Sequence, residues 1–381
     1  MNSGEWIPRT IEGDPERVFR PGKVVLIYGA RRVGKTALLR RLLDGSSGSI
    51  FSSTGEDADL AGILGSRKIE TYRLFFQNYD IIAIDEAQYL SDVGGSLKML
   101  VDLFPETSFL VTGSSSFGLS QSVSEPLTGR NVVHTLYPIS LGELRSVEEP
   151  LDIYRRFESL LLYGMYPEVF AYSDVAEKIE YLTNLRNSYL FRDILMLERV
   201  KSSQKLQDIV TLLALQIGSE VSLNEIATTV GLARNTVERY IDLLEKSFVI
   251  KKLPAFSRNL RKEVGKSAKY YFLDTGVRNA VINNFNRLEL RNDTGALWEN
   301  FVVMEMLKAH EAQQTGARFW FWRTYDQQEI DLVVETGGVV RGYEIKWNSG
   351  KARIPKAWRD TYGPGEIVTR ENLLQIVQPG A

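Results

Sequence analysis

Eight consecutive residues, Gly29-Ala30-Arg31-Arg32-Val33-Gly34-Lys35-Thr36, have the types and spacing of a loop that wraps phosphate groups. Glycine at each end lets the backbone curl so that its N–H groups face phosphate oxygens. The N-terminus of the helix that follows adds positive partial charge. In that geometry Lys35 reaches the β- and γ-phosphates, the Thr36 hydroxyl ligates magnesium, and Gly29 through Ala37 form the binding segment. Triphosphate chemistry also needs carboxylates. Asp85-Glu86 ends the apolar run Ile81–Ile84. Asp85 is expected to hold the water shell of the magnesium ion, and Glu86 to polarise the attacking water as general base. A third strand end, Thr112-Gly113-Ser114-Ser115, is rich in hydroxyls that suit water orientation. Thr112, Ser114 and Ser115 all qualify, and Ser114 is favoured.

These groups need strands to carry them. Val24–Tyr28, Ile81–Ile84 and Ser108–Thr112 are short apolar runs, and the phosphate loop is followed by helical spacing from Thr36 to Leu43. Continuous apolar strands alternating with helices predict a parallel α/β sheet covered on both faces. From Asp152 to about Gly218 the spacing is helical. Leu223, Ile226, Ala227 and Val230, a turn at Gly231, then Val237, Ile241 and Leu244 predict a helix–turn–helix. Strands at Phe248–Ile250 and Tyr270–Leu273, flanking a loop, would make it a winged helix. A helix over Leu297–Ala309, strands at Phe319–Trp322, Glu329–Val334 and Val339–Lys346, a helix within Ala352–Tyr362 and a strand at Glu366–Thr369 predict a last, small α/β domain.

Composition narrows the chemistry. The 381 residues include no cysteine and two histidines, so disulfides and thiolate metal sites are excluded and a histidine metal cluster or triad is not expected. Oxygen ligands, and hence magnesium, remain. Absence of cysteine and of a signal-like start fits a cytoplasmic protein, and no apolar run approaches the ~20 residues of a membrane span. A net charge of −2 places any DNA contact on a local basic face. With its apolar positions buried, the second helix exposes Arg234, Asn235, Thr236 and Arg239. The stretch after it carries Lys251, Lys252, Arg258, Arg261, Lys262, Lys266 and Lys269 against one acid, Glu263. Arg234, Asn235, Arg239, Lys251, Lys252, Arg261 and Lys262 are the candidate DNA-binding residues; a solvated surface is the other reading.

The ordered series of motifs is similar to that of AAA+-like ATPases of bacteria and archaea. Those proteins carry a C-terminal domain of unknown function with a restriction-endonuclease-like fold. The resemblance spans nearly the whole chain: Ile7-Pro8-Arg9, Gly29–Thr36, Ile84–Gln88, Thr112–Ser115, Leu127–Arg130, Pro138–Ser140, Gly164–Glu168, Arg192–Ile194, Phe272–Gly276, Trp298–Phe301, Glu329–Asp331 and Glu344–Lys346. It implies an ATPase core over 1–145, a helical lid over 146–217, a winged helix over 218–286 and a restriction-endonuclease-like domain over 287–381. It also implies ATP and Mg2+ as ligands and a hexamer-like ring of identical subunits. In that ring Arg130 would complete a neighbour's site, or else serve as a salt-bridged structural arginine.

In the tail, Asp331 and Glu344 would ligate a nuclease magnesium, Glu299 would complete its sphere, and Lys346 would stabilise the attacking water or phosphate charge. The alternative is a nuclease fold kept as a scaffold. The tryptophans there read as core and interface residues. Three functions follow: an ATP-driven motor that remodels DNA, with Holliday junctions among its plausible substrates; an ATP-dependent nuclease; or an ATP-driven switch acting on protein partners.

Overall fold

The computed structural model describes residues 6–113, 127–187, 203–257, 268–348, 350 and 352–377. The chain folds as two compact units. One comprises Pro8–Tyr137 with Lys246–Phe248; the other comprises Met1–Ile7, Pro138–Glu245 and Val249–Ala381.

The first unit is built on five parallel strands, β1 (Val24–Tyr28), β2 (Ile50–Thr54), β3 (Ile81–Asp85), β4 (Ser108–Gly113) and β5 (Asn131–Thr135). Their order across the sheet is β2-β3-β4-β1-β5. The apolar runs read from the sequence are its central strands. Every residue of β1 and β4 is buried, as expected for strands covered on both faces. The edge strands β2 and β5 alternate less apolar residues and carry no continuous apolar run, so periodicity did not reveal them. Helices Lys35–Asp44, Ala58–Ser66, Ile69–Phe76 and Val93–Leu103 connect the strands. A core that includes Leu26, Ile82, Ile84, Phe109 and Val111 from the sheet, with Leu60, Tyr72, Phe76 and Leu97 from the helices, holds the sheet flank together.

The second unit begins with helices, among them Pro150–Tyr163, Val175–Leu185 and Ser203–Leu215. Helices Leu223–Val230 and Arg234–Lys246 then form the expected helix–turn–helix. The turn residue Gly231 is in the left-handed conformation at φ 66°. A three-stranded antiparallel sheet follows, ordered β6 (Glu220–Val221), β8 (Ala268–Phe272), β7 (Ile250–Pro254). This corrects the basic-loop reading at three positions. Lys251 and Lys252 lie on strand β7, and Lys269 lies on β8 with 1% of its surface exposed. Lys269 alone points inward, and its strand went unread at that position because charge is ordinarily read as surface.

The chain ends in a four-stranded sheet, β12 (Gly365–Val368), β11 (Val339–Ile345), β10 (Glu329–Thr336), β9 (Arg318–Arg323), packed with the helix Thr294–Ala312. That helix buries Leu297, Trp298 and every residue from Asn300 to Lys308, so it is enclosed on all sides. Trp320, Trp322 and Trp358 share a core with Phe256, Ile330 and Val333, in keeping with the core reading of the tryptophans.

Two stretches of the motif series, Gly164–Glu168 and Phe272–Gly276, meet at Asp274. This carboxylate accepts hydrogen bonds from the Met165 N–H (2.6 Å) and the Val277 N–H (3.0 Å). It thereby caps the helix Thr275–Val281 and ties it to the chain leaving Pro150–Tyr163. Burial pushes its carboxyl above the ordinary range, against those hydrogen bonds. Asp274→Ala leaves these donors unsatisfied in a dry site and should cost roughly 3 kcal/mol. Differential scanning calorimetry should show a melting transition lowered by roughly 6–12 °C, and an unchanged transition would refute this role.

Candidate nucleotide site and C-terminal carboxylate cluster

The parallel order of the first sheet decides what faces the phosphate loop. β1 leads into the loop and β3 ends at Asp85, but the two are not neighbours; β4 runs between them. Ligands of open α/β sheets bind outside the carboxyl ends of such strands. The register pairs Ile27 with Thr112 and Ile84 with Val111, so Thr112 stands at the strand ends between loop and acid.

Asp85 accepts two hydrogen bonds there. The Thr36 hydroxyl donates to Oδ2 at 2.7 Å, and the Thr112 hydroxyl donates to Oδ1. The Thr112 oxygen also accepts from the Glu86 backbone N–H at 3.0 Å. Thr112 is fully buried, whereas Thr36 and Asp85 are half-buried, so the network runs from the core to the partly open site. Ser114 and Ser115 lie outside the described residues; Thr112 is the hydroxyl that touches both acidic positions.

The loop itself is closely packed. A Cβ on Gly29 would lie 2.1 Å from the Leu136 carbonyl oxygen, and Gly34 has φ 96°, so both positions require glycine. Lys35 is buried and donates to the carbonyls of Gly29 (3.1 Å) and Ala30 (2.9 Å). Arg31 donates to the Tyr89 hydroxyl at 3.2 Å. Gly34 is the N-cap of the helix Lys35–Asp44, so the helix N-terminus opens at the loop. Ala30 and Val33 are buried, whereas Arg32 and Ala37 are exposed. Glu86 has left-handed backbone geometry (φ 50°, ψ 44°), and its carboxylate accepts from the Gln88 side-chain amide.

Arg9 is a site residue that carries no motif chemistry of its own. It is 3% exposed and its guanidinium donates to the carbonyls of Val33 (2.8 Å) and Tyr137 (2.5 Å), bracing the loop from behind. The Ile7-Pro8-Arg9 match was its only signal. Arg130 pairs with Asp102 within the same unit, Nε to Oδ1 at 2.8 Å, with both side chains substantially exposed.

A hard divalent cation fits the nucleotide site by its donor chemistry. The Thr36 hydroxyl and the Asp85 carboxylate are oxygen donors already in contact, beside a helix N-terminus that accepts anions.

In the second unit, Arg234, Asn235 and Arg239 are exposed on the second helix of the helix–turn–helix, as expected. Acids share that helix: Glu238 and Asp242 are exposed, and Glu245 lies 3.6 Å from the Lys251 ammonium. Lys252 is exposed on β7. Arg258, Arg261, Lys262 and Lys266 lie outside the described residues.

The C-terminal acids do converge. Antiparallel register pairs Leu332 with Tyr343, which brings Asp331 beside Glu344. Lys346 bridges them, 3.2 Å from Asp331 and 2.7 Å from Glu344, and Asp331 also accepts from the Ile345 N–H at 2.7 Å. Glu299, from the long helix, meets a different cation: Lys269 at 3.1 Å, which also pairs with Glu329. The Tyr271 hydroxyl donates to the same Glu299 oxygen at 2.6 Å. Burial, then the charge of Asp331, push the Glu299 carboxyl up to about 7 against the opposing pull of Lys269. Burial and Asp331 likewise raise Glu344.

The four nuclease candidates fall into two sets: Asp331 and Glu344 meet at Lys346, whereas Glu299 is paired with Lys269.

Family models match three segments: an AAA domain over residues 21–145, a domain of unknown function, DUF8612, over 154–288, and another, DUF4143, over 294–372. An uncharacterized protein of Mycobacterium tuberculosis is 30% identical over 368 residues, covering 96% of this chain and 78% of its own. An uncharacterized protein of Haemophilus influenzae is 26% identical, covering 93% and 86% respectively. Among solved structures, the RuvB Holliday junction branch migration motor of Thermotoga maritima is 19% identical over 64% of this chain and 86% of its own. Its TM-score of 0.27 is too low to bear on function.

The hydrogen bonds of Thr112 give it a measurable part in the site. Thr112→Val keeps the shape but removes the donor to Asp85. Magnesium-dependent nucleotide affinity, read by titration with a fluorescent analogue, should fall at least about tenfold. Wild-type affinity in the valine variant would remove Thr112 from the site.

Proposed function

The chain belongs to the family of its Mycobacterium tuberculosis relative, and we propose from that premise that it hydrolyses ATP and uses the turnover to bind and remodel DNA. The observation that carries the ATPase half is the contact of Thr36 with Asp85, braced by Thr112. ATP binding places the triphosphate in the Gly29–Thr36 loop. Lys35 exchanges its bonds to the loop carbonyls for the β- and γ-phosphates. Thr36 and Asp85 would hold magnesium, which would neutralise phosphate charge. Glu86 releases Gln88, turns to the attacking water and accepts its proton. Arg130 exchanges Asp102 for the phosphates of a neighbouring subunit in a ring.

Glu86→Gln should bind ATP normally and hydrolyse it about 10²–10⁴-fold more slowly, whereas Lys35→Ala should lose affinity. Steady-state phosphate release decides this, and wild-type turnover in Glu86→Gln would remove the glutamate from the role of base. In mixtures, Arg130→Ala subunits should regain activity beside Glu86→Gln subunits if the arginine acts in trans. Equal loss in pure and mixed samples would rule that out.

The DNA half rests on the exposed Arg234, Asn235 and Arg239 of the second helix. These side chains suit base edges and phosphates in the groove geometry of a winged helix. Lys252 and the run that includes Arg261 and Lys262 extend the basic face. Branched DNA, Holliday junctions included, is the substrate class proposed. An ATP-dependent nuclease, with Asp331, Glu344 and Lys346 at its centre, is the alternative.

Replacing Lys251, Lys252, Arg261 and Lys262 with alanine should weaken DNA binding. It should also reduce the salt slope by about one unit per lost phosphate contact. Basal ATP hydrolysis should persist. Unchanged affinity and slope for duplex and branched DNA would favour the protein-partner switch.

A further inference from the structure

Glu86 holds a backbone geometry that is unfavourable for any residue with a Cβ. At φ 50° and ψ 44° it sits in the left-handed region. Such a conformation persists only where the surroundings over-determine it. Here hydrogen bonds fix the chain on both sides of Glu86. The Asp85 carbonyl accepts from the Gly55 N–H at 2.7 Å, and the Glu86 N–H donates to the Thr112 hydroxyl at 3.0 Å. The Glu86 carbonyl accepts from the Tyr89 N–H at 3.2 Å.

Gly55 adds a constraint of shape. It follows the last residue of β2, Thr54, which is in register with Asp85 on β3. A Cβ on Gly55 would lie 2.4 Å from the Glu86 carbonyl oxygen and 3.1 Å from both the Glu86 carbonyl carbon and the Ala87 Cα. These are backbone atoms, so no change of rotamer relieves the clash. Gly55 and Ala87 are both buried, which leaves the two segments packed against each other. The Asp85 carboxylate is anchored separately, by the Thr36 and Thr112 hydroxyls. Lys35 and Gly29 make their contacts at Ala30 and Leu136, away from this turn.

We propose that Gly55 is a positioning residue for Glu86. Its missing side chain lets the end of β2 press the Glu86–Ala87 peptide into the left-handed turn from which the glutamate reaches the attacking water. The inference rests on the reading of Glu86 as general base and adds the element that aims it. An edge strand without chemistry of its own thereby bears on the hydrolytic step, and not on the holding of phosphate or metal.

Steady-state phosphate release, paired with titration of a fluorescent nucleotide analogue, tests this on the full chain. Gly55→Ala should lower kcat on the order of 10²-fold, because a displacement of about 1 Å is enough to misplace a reacting group. Magnesium-dependent nucleotide affinity should stay at the wild-type value. Adding Gly55→Ala to Glu86→Gln should slow the residual hydrolysis no further, since residues that act as one unit are not additive. Wild-type turnover in Gly55→Ala, with Glu86→Gln slow, would overturn the proposal and leave the base assignment standing. Equal slowing in both backgrounds, or affinity lost as fully as rate, would mark a merely structural glycine and overturn it too. Wild-type turnover in Glu86→Gln would overturn both readings together. If circular dichroism shows that Gly55→Ala does not fold, a crystal structure of the wild-type chain with magnesium and a non-hydrolysable ATP analogue decides. Glu86 still left-handed, with its carbonyl against Gly55, is the expected result; Glu86 in another backbone region would overturn the proposal.

Discussion

Asp85 accepts a hydroxyl hydrogen bond on each carboxylate oxygen, from Thr36 and from Thr112, and the nucleotide unit is arranged around that small fact. Thr36 belongs to the first turn of the helix after the phosphate loop, Asp85 to the end of β3, and Thr112 to β4 between them. Three elements distant in sequence are thus locked in one hydrogen-bonded chain. The strand order makes this possible, since only a strand inserted between β1 and β3 can supply the bridging hydroxyl. Charge makes it matter, because hydrogen bonds to a carboxylate are stronger than those between neutral groups. The loop glycines, the lysine folded onto its own carbonyls and the bracing arginine at position 9 all keep that chain in register with the phosphate site.

The second unit follows a different rule: it is held at several points by charges that have left water. Asp274 caps a buried helix, Lys308 pairs with Glu305 at 2.6 Å, and Arg278 pairs with Asp293 at 2.5 Å. Burial alone would raise Asp293, yet Arg291 and Arg278 lower its carboxyl to about 2. Such pairs add little net stability over apolar residues of the same size, but removing one partner strands the other. They therefore specify which elements meet. Lys269 and Glu299 belong to this class, joining the sheet beside the helix–turn–helix to the C-terminal domain.

Local pattern explains which parts of the fold were legible. The phosphate loop, the strands Val24–Tyr28, Ile81–Asp85 and Ser108–Gly113, the two helices about Gly231 and the hairpin at Gly337-Gly338 each announce themselves in a short window. Periodicity, glycine and β-branched residues act locally, so they survive reading one residue at a time. Edge strands β2 and β5 did not, because a half-covered strand lacks the continuous apolar signature. Among Thr112, Ser114 and Ser115 the sequence reading favoured Ser114, which lies with Ser115 outside the described residues. Strand order brought Thr112 to the acid.

The sequence by itself determined the chemistry available: a phosphate-wrapping loop, an acid pair after a buried strand, oxygen donors without thiols, and a C-terminal set of carboxylates with one lysine two residues beyond Glu344. Only the tertiary structure decided which cation each carboxylate meets. Lys269 stands in the most basic stretch of the chain and reads as surface, yet β8 turns it inward to Glu299 and Glu329. Charge is a property of a residue, whereas the work a charge does depends on the dielectric and partners around it. Those are set by strands and helices that lie tens of residues apart in the chain.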